Sequence, residues 1–104
     1  MFDKLMEARQ KAEEIRKRLE GITVTGEAEG GLVRVTATGN KEVKDVRIDP
    51  VFLVNAEKEE VEELLAVAVN RALQQAEQVA QAEMQGAARD MLGGLGGLGS
   101  LFGG

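Results

Sequence analysis

The sequence predicts an α+β domain in which a helix, three antiparallel strands and a second helix follow one another. Apolar residues recur at helical spacing over 2–20, β-branched residues alternate with polar ones over 22–49, and a long stretch after residue 55 lacks proline. The 104 residues suffice for one domain. We therefore predict one domain over 1–92, followed by a flexible Gly/Leu-rich tail at 93–104.

The first helix is predicted from a narrow apolar stripe, called the seam below. Its members are separated alternately by three and four residues: Leu5, Ala8, Ala12, Ile15 and Leu19. Neither glycine nor proline interrupts residues 2–20, and Gly21 follows at once, as is typical after a helix C-terminus.

The three strands are predicted at 22–28, 32–39 and 43–49. Glycine pairs or Gly-Asn steps separate them, at 30–31 and 39–40. Short turns of this kind join neighbouring antiparallel strands, so the segment is predicted to form a meander that packs on the flanking helices.

The third strand carries an irregularity in its alternation. Val43 is out of phase with Val46 and Ile48, so the three valine and isoleucine side chains cannot share one face of a regular strand. An extra residue near Lys44 or Asp45 would restore the phase, which predicts a β-bulge there.

The second helix is predicted to begin near Asn55, a good N-cap type, and to run to about Met91. Pro50 ends the strand region before it, because proline cannot donate to a sheet. The segment 64–69 is apolar nearly all round and is predicted to be buried on most sides, against the sheet. The Ala- and Gln-rich part beyond it has a weak core face, so we expect it to project or to pack on another helix.

Composition excludes several classes of function. The chain has no Cys and no His, which excludes thiol nucleophiles, Cys/His zinc sites and His-based acid–base catalysis. We predict that it is not an enzyme and has no cofactor, metal or small-molecule substrate. The net charge of −5 excludes a uniformly basic nucleic-acid binder, so such a function would need a local basic patch.

Membrane and export signals are also missing from the sequence. No apolar run reaches the roughly 18 residues that cross a bilayer, and the first ten residues are charged from Asp3 onward. We therefore expect no signal peptide, no membrane partner and a cytoplasmic location.

Basic residues border the seam of the first helix on both sides. In a heptad assignment with Leu5 at position a, the two flanking positions hold Lys4, Arg9, Lys11, Arg16 and Arg18. The acidic residues of this helix lie toward its outer face. Two copies paired in parallel through the seam would oppose like charges, so this helix needs a different partner.

The charge pattern leaves two partners open. One is the second helix of the same chain, whose Glu62, Glu77 and Glu83 lie on or beside its apolar stripe; the net charge of −5 favours this structural interpretation. The other is a phosphate backbone, bound by five basic side chains along an exposed helix.

Short motifs in the middle of the chain resemble those of the YbaB/EbfC family of bacterial nucleoid-associated DNA-binding proteins. They are VTGE at 24–27, GLVRV at 31–35 and IDP at 48–50, followed by LLAVAVNRAL at 64–73. Their order and spacing match the family over about residues 1–90.

The resemblance implies an α-β-β-β-α subunit that forms a homodimer with projecting helical arms and binds duplex DNA in the nucleoid, with a role in nucleoid organisation or gene regulation. If the arms project, the five basic residues are free to contact phosphates, with Arg71 or Arg89 as weaker additions. An alternative is a protein-interaction or chaperone-like adaptor that uses the Ala-rich second helix and the tail.

Overall fold

The structure is a computed structural model that describes residues 2–93. It confirms the predicted helix, three antiparallel strands and long second helix, and it adds two short elements. The elements in chain order are α1 (Phe2–Glu20), β1 (Thr23–Ala28), a 3₁₀ turn (Glu29–Gly31), β2 (Val33–Thr38), β3 (Val43–Ile48), α2 (Pro50–Asn55) and α3 (Lys58–Gly93). Residues 94–104, where most of the predicted tail falls, lie outside the described residues.

The predicted start of the long helix at Asn55 is wrong. Pro50 occupies the first turn of α2, where its fixed φ and missing N–H are tolerated, and the Asp49 carboxylate caps this turn by accepting from the Phe52 N–H at 3.0 Å. Asn55 is the last residue of α2, and its side-chain amide donates to the Val51 carbonyl at 2.8 Å. The proline therefore ends the strand region by starting a helix.

The sheet is a meander in the order β1-β2-β3. The predicted bulge in β3 is confirmed: Thr36 pairs with Asp45 but Ala37 pairs with Val43, which leaves Lys44 as the extra residue. As a result Val43 lies on the same face of the sheet as the other apolar residues of β3.

The core lies where α3 crosses β1 and β2. Ala68, Ala72 and Ala76, one helical turn apart, are fully buried, and Gly26 of β1 faces the first two. A Cβ built on Gly26 would stand 2.3 Å from the Ala68 carbonyl oxygen and 2.3 Å from the Ala72 nitrogen. Backbone therefore packs on backbone, which only small residues on both elements allow.

The apolar segment 64–69 is less enclosed than predicted. Ala68 is buried and Leu64 is half-buried, but Ala66 and Val67 are exposed. Since α3 covers only one face of a three-stranded sheet, the side of the helix that faces away from the sheet receives no second layer from the described part of the chain.

The last turn of α1 is fastened to the turn between β2 and β3. The Gly39 N–H donates to the Leu19 carbonyl at 3.0 Å, and the Asn40 side chain donates to the Arg16 carbonyl at 3.0 Å. A Cβ on Gly39 would come within 2.9 Å of Leu19 Cδ2, so a glycine is needed for this close approach. The turn thereby fixes the direction in which α1 leaves the sheet.

The same turn is joined to α3 by an ion pair. Lys41, held at a positive φ of 66°, places its ammonium against the Glu77 carboxylate, which also accepts from Gln81 at 3.3 Å. The hydrogen bond and charge of Lys41 lower the pKa of Glu77 below its usual value. The pair links the β2–β3 turn, and through it α1, to the long helix.

We predict that Gly26→Ala lowers the free energy of unfolding by about 1–3 kcal/mol or more, because the new methyl group must displace the α3 backbone. Urea denaturation followed by circular dichroism measures this. Gly86→Ala is the matched control: a Cβ there meets nothing within 4 Å, so alanine should stabilise the helix by about 0.5–1 kcal/mol. Equal effects at the two sites would contradict the close-packing account.

We predict that Glu77→Gln lowers the melting temperature slightly at neutral pH. Because folding lowers the pKa of Glu77, its stabilisation is complete above the unfolded-state pKa and is lost as the pH falls through the folded-state pKa. The difference between the variant and the parent protein should therefore vanish in acid. Glu63→Gln removes an exposed carboxylate from the same helix and is the charge-matched control. Equal effects of the two variants on the melting temperature at neutral pH would contradict a specific contribution from the Lys41–Glu77 pair.

Candidate nucleic-acid interface

All five predicted basic residues of α1 are exposed. Lys4 and Lys11 border one side of the seam together with Arg18, and Arg9 and Arg16 border the other. The helix holds them at intervals of seven residues on each flank, about 10.5 Å along the axis. The structure thus presents two short rows of positive charge along one helix.

The seam between these rows changes from buried to open along α1. Leu19 is buried and Ile15 is half-buried, where the helix meets the sheet and α3. Toward the N-terminus Ala12 and Ala8 are exposed, and 55% of Leu5 is exposed. Helix α1 is therefore anchored at its C-terminal end and projects at its N-terminal end.

Only one of the three glutamates considered as partners for α1 reaches it. Glu83 accepts from Arg18 Nη1 at 3.2 Å. Glu77 pairs with Lys41 instead, and Glu62 pairs with Lys58 at 3.5 Å within α3. Helix α3 therefore forms an ion pair with one of the five basic side chains of α1, that of Arg18.

The other four basic residues have no ion pair within the described part of the chain. No carboxylate of residues 3–90 lies within 4.0 Å of the charged atoms of Lys4, Arg9, Lys11 or Arg16. Glu7, Glu13 and Glu14 each have a basic residue four positions later on the same helix. None of these three carboxylates lies within 4.0 Å of that residue's charged atoms. The positive charges of Lys4, Arg9, Lys11 and Arg16 are therefore available to an external anion.

Arg71 lies at the sheet and not on the projecting part of the molecule. Its Nη1 donates to the Glu27 carbonyl at 2.7 Å, so this guanidinium already fastens α3 to the end of β1. Arg89 is exposed near the far end of α3. Of the two weaker candidates, only Arg89 therefore lies where α3 extends away from the sheet.

A second exposed surface was not predicted from the sequence. It is apolar, lies on edge strand β3 and helix α2, and is called the β3–α2 surface below; its exposed members are Val43, Val46, Val51, Leu53 and Val54. The exposed fraction of Val54 reaches 83%. The apolar run that follows Pro50 is the available signal, but it fits a connection to the long helix equally well.

The described residues contain neither a candidate metal site nor a helix that could span a membrane. Residues 2–93 contain no group of three or more His, Cys, Asp or Glu side chains that could hold a metal ion. None of the helices in this range is long and apolar enough to cross a bilayer.

The chain matches known proteins over most of its length. A protein of Helicobacter pylori of uncharacterized function has a similar fold, with a TM-score of 0.63 and 23% identity over 75% of this chain and 90% of that one. A nucleoid-associated protein of Chlorobium phaeobacteroides strain BS1 is 40% identical over 94 residues, which are 90% of this chain and 83% of the relative.

Further relatives carry the same description. A nucleoid-associated protein of Beijerinckia indica is 42% identical over 85 residues, 82% of this chain and 80% of the relative. One from Flavobacterium johnsoniae is 33% identical over 102 residues, 98% of this chain and 94% of the relative. The family model of the YbaB/EbfC DNA-binding family matches residues 1–91. With the helix–three strands–helix order and this match, the chain belongs to the YbaB/EbfC DNA-binding family.

Proposed function

We propose that this protein binds duplex DNA as a homodimer, mainly through phosphate contacts from α1, and acts in nucleoid organisation or gene regulation. The observation that carries the proposal is that four exposed basic side chains of α1, those of Lys4, Arg9, Lys11 and Arg16, have no carboxylate partner among the described residues. The proposed contact residues are Lys4, Arg9, Lys11, Arg16 and Arg18.

The charge is unevenly distributed along the chain. Residues 2–20 hold six of the thirteen basic side chains and five of the eighteen acidic ones, so α1 carries a net charge of +1 and the remaining residues carry −6. This difference in charge would orient the molecule with α1 toward a polyanion. Net acidity is therefore compatible with DNA binding through the arm.

The spacing of the basic residues suits a phosphate backbone. Consecutive residues on one flank are about 10.5 Å apart along the helix, and one DNA strand carries a phosphate about every 3.4 Å along the duplex axis. Residues of one flank can therefore contact different phosphates at the same time. Because Lys and Arg contacts to phosphate carry no base information, binding with little sequence preference is expected.

Arg18 is the least available of the five. Its guanidinium lies 3.2 Å from Glu83, although 56% of its side chain is exposed. An exposed pair of this kind is weak, about 0–1 kcal/mol, so a phosphate can replace the carboxylate at little cost.

The β3–α2 surface supports the proposed homodimer. The apolar residues of β3 lie on the sheet face that carries α3, but α3 packs on β1 and β2 and leaves 43% of Val46 exposed. An apolar surface on an edge strand and the adjoining helix favours a second copy related by twofold symmetry. Such a dimer would carry two projecting α1 helices on one central body formed by the two sheets.

We predict that Arg9→Gln, Lys11→Gln and Arg16→Gln together weaken binding to random duplex DNA by at least about tenfold near physiological salt. The slope of log affinity against log salt concentration should become shallower by about 0.9 for each phosphate that the variant no longer neutralises. Fluorescence anisotropy with two duplexes of unrelated sequence measures both quantities, and the weakening should be equal for the two.

A charge-matched control uses basic residues of the body. Arg34→Gln, Lys44→Gln and Lys58→Gln together change the net charge by the same amount and should leave binding nearly unchanged. Equal weakening in both triple variants, or an unaffected arm variant, would contradict the proposed interface. Absence of DNA binding by the parent protein at low salt would favour the adaptor alternative.

We predict that Val46→Asp with Val54→Asp weakens self-association by at least about a hundredfold, because an unpaired carboxylate would be buried in the interface. Sedimentation velocity over a concentration series measures this. Leu5→Asp, at another exposed apolar position, on α1, should leave self-association intact. A dimer that survives the double substitution would place the interface elsewhere.

A further inference from the structure

One carboxylate of α3 lies at the end of a row of basic residues on α1. Arg18 Nη1 donates to Glu83 Oε2 at 3.2 Å, and none of the other ion pairs among residues 3–90 involves α1. Arg18 is the last member of the row that begins with Lys4 and Lys11. An internal anion therefore lies where the proposed function requires a phosphate.

The packing of the two long helices holds this pair together. Leu19, the residue after Arg18, is 6% exposed, and its carbonyl accepts from the Gly39 N–H at 3.0 Å. Met84, the residue after Glu83, lines the same groove between α1 and α3 as Leu19 does. Because the neighbouring residues fix both backbones, the carboxylate stays close to Arg18 even when their hydrogen bond opens.

Partial burial makes Glu83 a stronger competitor than a fully exposed carboxylate. Its side chain is 27% exposed, against 56% for that of Arg18. Salt screens partly buried charges much less than exposed ones. A phosphate that replaces Glu83 on Arg18 also leaves an unpaired carboxylate close to the duplex, and the two negative charges repel each other.

We propose that Glu83 competes with DNA phosphate for Arg18 and thereby weakens duplex binding by α1. The inference rests on the proposed DNA binding and adds a device that regulates it. The other four basic residues of α1 contact phosphates without an internal competitor, whereas Arg18 does so only after Glu83 is displaced. The carboxylate therefore sets how much of the basic surface takes part in binding.

The competition has its own salt dependence. Each phosphate that a free basic side chain neutralises contributes about 0.9 to the slope of log affinity against log salt concentration, because a condensed cation is released. At Arg18 the phosphate releases a cation, but the displaced carboxylate of Glu83 attracts one. Net cation release at this position is therefore small until Glu83 is neutralised. A pair with a purely structural role would alter stability and leave the salt slope unchanged.

Glu83→Gln tests the inference, because the amide oxygen can still accept from Arg18 but carries no charge. We expect the affinity for random duplex DNA at about 0.15 M salt to rise about threefold to tenfold, and the salt slope to steepen by up to about 0.9. Fluorescence anisotropy measures both quantities, and circular dichroism checks that the variant is folded.

Glu63→Gln is the matched control. It makes the same change in net charge at an exposed carboxylate of the same helix, twenty residues and about 30 Å before Glu83. It should leave both the affinity and the salt slope nearly unchanged. An equal gain from the two variants, or weaker binding by Glu83→Gln, would overturn the proposal.

A double-mutant cycle tests whether Arg18 is the target of Glu83. Arg18→Gln should weaken binding more when Glu83→Gln is present than in the parent protein, and Glu83→Gln should give no gain once Arg18 is replaced. A gain that persists without Arg18 would overturn the proposal. Binding by the parent protein that Glu83→Gln leaves unchanged would overturn this inference alone, whereas no DNA binding by the parent or any variant would overturn the proposed function as well.

Discussion

The contact between Gly26 and the alanine ridge of α3 is the constraint on which the rest of the molecule depends. Ala68 and Ala72 lie directly on β1 at Gly26, with no side chain large enough to separate the two backbones. Such a contact buries little area per residue but fixes the helix at close range. This contact determines which part of α3 packs on the sheet and which part extends beyond the sheet. The position of Glu83 beside Arg18 follows from this placement.

The sequence predicts those elements whose local signals and tertiary contacts agree. The alternation of apolar and polar residues in β2 predicts a strand of the meander. Val43, which departs from the alternation of Val46 and Ile48, predicts the bulge, because successive side chains of a regular strand point to opposite faces. The predicted start of the long helix is wrong, because Asn55 ends the short helix that Asp49 and Pro50 begin, and α3 begins only at Lys58. Asp49 and Asn55, six residues apart, offer the same cap chemistry. Two competing caps cannot be ranked without knowing how β3 ends.

The candidate interface is predictable only in part for a similar reason. The periodicity of α1 shows that basic residues border the seam, but not which glutamates of a distant helix reach them. The structure brings Glu83 to Arg18 and directs Glu77 to Lys41, whose backbone conformation in the β2–β3 turn has no clear sequence signal. Exposure of the β3–α2 surface depends on how far α3 extends across the sheet, a tertiary property that hydropathy does not report.

The close seat of α3 on Gly26 has a mechanical consequence. Gly93 lies twenty-one residues beyond Ala72, so the far end of the helix is about 30 Å from its pivot. A tilt of about 5° at the pivot would move that end by about 3 Å, comparable to the axial spacing of consecutive phosphates on one strand. Larger and more mobile side chains at this contact would allow a larger tilt, which would displace the end of α3 by several such spacings. The small residues at the contact between β1 and α3 therefore keep the far end of this long helix in a well-defined position.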